Sequence, residues 1–77
     1  KTYEVSARVT IEEFEKKIGI SFKDDEKEEI DTLGGLVFYL LGRIPERGEV
    51  VNHKSGLEFT ILDADTRKIK RILVVVK

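Results

Sequence analysis

Tyr3, Val5, Ala7 and Val9 alternate with Glu4, Ser6 and Arg8. That period of two predicts a strand with one buried face. At Thr10 the period changes. Ile11, Phe14 and Ile18 form one helical stripe, and Thr10 with Glu13 has the spacing of a capping box. Glu12 and Glu13 suit the positive end of the helix dipole, Lys16 and Lys17 the negative end, and Gly19 the C′ position. Ile20 and Phe22 follow as apolar anchors, and the acidic stretch from Asp24 to Asp31 predicts a solvated connection or a single helical turn.

A second helix is expected from about Leu33 to Leu41, capped by Asp31 or Thr32, with Gly42 as its left-handed exit and Pro45 preventing continuation. At about 100° per residue, Leu33, Leu36, Val37, Leu40 and Leu41 share one face, while Phe38 and Tyr39 fall outside it on opposite flanks. A helix apolar nearly all round needs cover on more than one side. Two sources remain open: the first helix with the Ile20–Phe22 segment, or an interface with another domain or a second copy.

The remainder reads as strands. Val50 and Val51 mark a short one, Lys54-Ser55-Gly56 turns the chain, and Leu57, Phe59 and Ile61 alternate with Glu58 and Thr60. Asp63-Ala64-Asp65-Thr66 is turn chemistry, and a last strand runs from about Lys68 to Val76. Ile72 to Val76 is apolar on both faces, as in a central or covered strand. The order β-α-α-β-β-β, ending in an antiparallel meander, predicts a two-layer α+β fold for residues 1–77 as one domain.

Composition narrows the function. At 77 residues the chain has room for one core, and a domain of this size buries only about 60% of its unfolded surface. Without cysteine there is neither a disulfide nor a thiolate zinc site. Fourteen bases nearly balance fifteen acids, which disfavours a nucleic-acid partner. The distribution is uneven: residues 1–31 hold ten acids and six bases, and residues 32–77 hold five acids and eight bases. The chain opens on Lys1 and reads as a piece of a longer protein.

Few residues suggest chemistry. Gly34 and Gly35 could admit a phosphate at a helix start, but neither GxGxxG nor a P-loop surrounds them, and six acids lie between Asp24 and Asp31. Close helix-to-sheet packing explains them better. His53 reads as a surface or hairpin residue with no identifiable nucleophile or metal partner, and no catalytic residue is assigned. Asp24, Asp25 and Glu28 are weak candidates for Mg²⁺ or Ca²⁺, although such a run more often forms a solvated face. Arg67, Lys68, Lys70 and Arg71 form a basic patch suited to an acidic neighbour or anionic lipid headgroups. The interface candidates are Leu36, Phe38, Tyr39 and Arg71.

Asp31-Thr32-Leu33-Gly34-Gly35-Leu36, then Leu41-Gly42-Arg43-Ile44-Pro45 and Gly48, followed by Phe59, Asp63 and Arg67-Lys68-Ile69-x-Arg71-Ile72, resembles the CorC/HlyC transporter-associated domain. The resemblance departs at Ala7-Arg8-Val9, where a glycine is expected. It implies the C-terminal piece of a magnesium/cobalt efflux or haemolysin-like membrane protein, at the cytoplasmic face of the bacterial inner membrane. Its implied partners are the membrane and CBS domains of the same protein, or a second copy as a homodimer. It implies modulation of ion transport rather than catalysis, and a fold similar to a subdomain of flavin-binding (FAD) oxidoreductases of the vanillyl-alcohol-oxidase type. Thr32, Gly34, Gly35, Gly42, Pro45 and Gly48 then read as fold determinants, with FAD suggested by fold analogy alone.

Overall fold

Thr10 and Thr32, both in extended backbone conformation, cap helices α1 (Ile11–Ile18) and α2 (Leu33–Leu41). The Thr10 hydroxyl accepts from the Glu13 amide at 3.1 Å, and the Thr32 hydroxyl accepts from the Gly35 amide at 3.1 Å. An antiparallel bridge joins the two caps: the Ile11 amide donates to Asp31 O at 2.9 Å and the Leu33 amide to Val9 O at 3.0 Å. Each helix therefore supplies an acceptor for the other's first orphan donor. Of the two expected α2 caps, Thr32 holds the position, and Gly19 and Gly42 are the left-handed exits.

The computed structural model describes residues 1–22 and 30–76. Within these, strands β1 (Thr2–Ser6), β2 (Val50–Asn52), β3 (Leu57–Ala64) and β4 (Ile69–Val76) form one antiparallel sheet in the order β1-β4-β3-β2. β4 is central, as its apolar run predicts. Its register sets Val5 opposite Ile72 on one side and Ile61 opposite Ile72 on the other. Val5, Leu57, Phe59, Ile61, Ile72 and Val74 turn inward and meet Phe14 of α1 and Leu33, Leu36 and Val37 of α2 in one core. Phe22 and Ile30 are buried in it as well.

Two boundaries and one burial differ from the sequence expectation. The first strand ends at Ser6, because the Val9 amide donates to Ser6 O at 3.1 Å and the Arg8 amide to Ser6 Oγ at 3.2 Å, closing a turn. Ala7 remains buried, tied by its amide to Lys70 O. β3 continues to Ala64 through a register shift between Ile61 and Ala64, so the turn falls at Asp65–Lys68. Helix α2 ends at Leu41 as expected, but its shared face is unevenly covered: Leu36 is 1% and Leu40 38% exposed, while Leu41 is partly buried against the core.

Candidate functional site

Helix α2 begins against the turn that follows β1. The Gly34 amide donates to Ala7 O at 2.9 Å, and a Cβ on Gly34 would lie 3.0 Å from Ala7 Cβ and 3.1 Å from Ala7 O. Only glycine fits this approach without displacing backbone. Gly34 thus meets a turn rather than a strand, and Gly35 lies over its own cap, Thr32, and the Ile30 side chain. The four leading amides of α2 are all engaged: Leu33 with Val9 O, Gly34 with Ala7 O, Gly35 with Thr32 Oγ1, and Leu36 with Thr32 O at 3.0 Å. A phosphate at a helix start needs free N–H groups. Here the protein's own oxygens have taken them.

Beyond this junction lies an open groove of about 620 Å³ between the α2 start, the Ala7–Arg8 turn and the β3–β4 hairpin. Ile69 is buried at its base, with Phe38 and Ile44 as further apolar lining. Arg8, Arg67 and Lys68 supply the charge, and no acid is among the described lining residues. The hairpin holds its two bases by an Asp65 turn: the Arg67 and Lys68 amides donate to Asp65 Oδ1 at 2.7 and 2.8 Å. Those two bonds, Arg67's first, hold the Asp65 carboxyl below its ordinary pKa.

The expected basic patch therefore divides. Lys70 approaches Asp65 at 3.9 Å and Arg71 approaches Glu4 at 3.3 Å, whereas Arg67 and Lys68 join Arg8 at the groove. Arg71 is exposed as an interface residue must be, with its charge partly matched. On α2, Phe38 is 46% and Tyr39 58% exposed, and Leu40, at the edge of the core-facing stripe, is 38% exposed. Leu36 has no surface to offer, because it faces the core.

At the exit of α2, Arg43 holds Glu49 through two bonds of 3.0 and 2.8 Å, and the Glu46 amide donates to Glu49 Oε2 at 3.0 Å. The bidentate bond to Arg43 is the main cause lowering the Glu49 pKa and raising that of Arg43. The Gly42–Pro45 exit is thus braced from outside, and Pro45 is fully buried.

His53 corrects the surface reading. It is a hairpin residue, but it is 7% exposed and packs edge-on to Phe22 at 5.2 Å. Its Nδ1 lies 2.7 Å from Ser55 Oγ and accepts from the Ser55 amide at 3.1 Å. The amide fixes Nδ1 as an acceptor within a tight turn, so the Ser55 contact organises the hairpin. Phe22 is remote from it in sequence, which is why the burial was not legible there. Among the described residues no three His, Asp or Glu side chains gather as metal ligands, and Asp24, Asp25 and Glu28 lie outside the described residues.

Fold and surface together define a small antiparallel α+β module in which three of the four exposed large apolar side chains among the described residues lie on one helix, the fourth being Val50 of β2. The chain belongs to the CorC_HlyC family of transporter associated domains, whose model matches residues 1–77. It is 43% identical over 75 residues to the magnesium and cobalt efflux protein CorC of Vibrio cholerae, covering 97% of this chain and 24% of that protein. Among solved structures, the Mg²⁺ and Co²⁺ transporter (CorC) associated region from Neisseria meningitidis superposes with a TM-score of 0.88 at 34% identity, covering 100% of this chain and 90% of that one. The CorC_HlyC domain of a Xylella fastidiosa hemolysin, solved in complex with Mg²⁺ and Mn²⁺, superposes at 0.83 and 25% identity, covering 99% and 87%. The chain spans about a quarter of the length of the curated relatives it matches. No helix among the described residues is long and apolar enough to cross a membrane.

Proposed function

We propose that this chain is a non-catalytic regulatory domain of a CorC-like magnesium/cobalt efflux or haemolysin-related membrane protein. It acts at the cytoplasmic face by docking the outer surface of α2 on the CBS or membrane domain of the same protein, or on a second copy. The observation that carries this reading is the exposure of Phe38, Tyr39 and Leu40 at consecutive positions of a helix whose Leu33, Leu36 and Val37 are buried. No described residue fully covers those three side chains, so their apolar surface is open to a neighbour. A flavin or nucleotide reading is less well supported, since the α2 amides that would cradle a pyrophosphate already have acceptors.

The test uses the full-length protein carrying this domain, reconstituted in vesicles loaded with Mg²⁺ or Co²⁺. Tyr39→Ser with Leu40→Ser should change the efflux rate and weaken cross-linking between this domain and its neighbour, while the circular dichroism of the isolated 77-residue chain stays unchanged. Unaltered efflux and cross-linking would refute the proposal.

A further inference from the structure

We infer that the groove between the α2 start and the β3–β4 hairpin receives an extended acidic peptide segment, with carboxylates flanking one large apolar side chain. The inference rests on reading the chain as an interaction domain, and it names the chemistry of one partner. Three cations from two separate parts of the chain, Arg8 after β1 and Arg67 and Lys68 in the hairpin, converge on one concavity with no acid in its described lining. No ion pair joins Arg8 or Arg67 to another described residue, whereas Lys70 and Arg71 of the neighbouring strand have Asp65 and Glu4 beside them. The matching partner is anionic by charge complementarity.

Its form follows from the lining. Phe38, Ile44 and Ile69 supply an apolar bed between the charges, which an inorganic anion would leave unused. With every leading amide of α2 already bonded, a phosphate would be held by side chains alone. A bilayer presents a flat array of headgroups, and these bases face a concavity instead. A peptide supplies spaced carboxylates, which arginine grips in bidentate fashion, and an apolar side chain between them.

The probe is a phage-displayed library of random dodecapeptides panned against the immobilised 77-residue chain, followed by the synthetic lead peptide in fluorescence polarisation. The lead peptides should be enriched in Asp and Glu around an aromatic or aliphatic residue. Their affinity should fall by about tenfold or more on Arg8→Glu with Arg67→Glu, and similarly when NaCl is raised to about 0.5 M. The milder pair Arg8→Gln with Arg67→Gln guards against misfolding and should show a smaller loss in the same direction. An empty selection, peptides without acidic enrichment, or binding indifferent to both pairs would overturn the inference. So would phosphatidylglycerol vesicles or inorganic phosphate binding at these arginines while the selected peptides do not. Tyr39 and Leu40 lie outside the groove, so failure here leaves the α2 docking proposal standing, and failure there leaves this affinity separately measurable.

Discussion

Counted from their caps, the two helices are nearly superimposable in design. Thr10 and Thr32 each accept the amide three residues on, and Ile11 and Leu33 each donate to the strand-like residue before the other's cap. The core then takes Phe14 from one and Leu36 and Val37 from the other. Their outer sides differ. The sixth and seventh positions are Lys16 and Lys17 in α1 but Phe38 and Tyr39 in α2, all four exposed. Helix α1 carries lysines at these positions, and the proposed docking surface rests on this contrast with the rings of α2.

The comparison breaks most visibly in the core. Phe14→Ala and Leu36→Ala should each cost about 3–5 kcal/mol in urea denaturation, showing that both helices anchor the domain alike. A loss at Leu36 within about 0.5 kcal/mol, the range of surface substitutions, would undo the equivalence. At the second helical position the helices should diverge. Gly34→Val crowds Ala7 and should destabilise by about 1–3 kcal/mol, whereas Glu12→Val in α1 should have a much smaller effect in the same assay. The caps should agree again, Thr10→Ala and Thr32→Ala each costing about 1 kcal/mol in thermal melts.

Tyr39→Ser should change stability by no more than about 0.5 kcal/mol while reducing docking in the full-length protein. A cooperative loss of folding would place that ring in the core instead. The smallest effect should come at the α2 exit. The folded Glu49 pKa is lowered, so the stabilisation from its bond to Arg43 is complete above the ordinary glutamate pKa. It is lost as pH falls through the lowered value. Arg43→Gln should therefore lower the melting temperature slightly at about pH 7, and the difference should shrink as the pH falls below the ordinary glutamate range.

Much of this was legible in the sequence because it is local. Caps, glycine exits, strand alternation and the central apolar strand all depend on neighbours a few residues apart. The resemblance carried by DTLGG and LGRIP identified the family, and helical geometry placed Phe38 and Tyr39 off the shared face while leaving open what covers them. Most of what escaped depends on long-range pairing. The exception is the Ser6–Val9 turn that ends β1, which is local but hidden because the alternation continues through Ala7 and Val9. The register shift before Asp65, the burial of His53 against Phe22 and the meeting of Arg8 with Arg67 join separate parts of the chain. Leu36 was misjudged for the same reason: a helix with apolar residues all round does not by itself declare which of them meets the sheet.

A Cβ at position 34 meets two limits on the turn, the Ala7 methyl at 3.0 Å and the Ala7 carbonyl oxygen at 3.1 Å. Ala7→Gly removes only the first, so it should rescue Gly34→Ala in part. The carbonyl belongs to the main chain, and no change of side chain at residue 7 makes room for it.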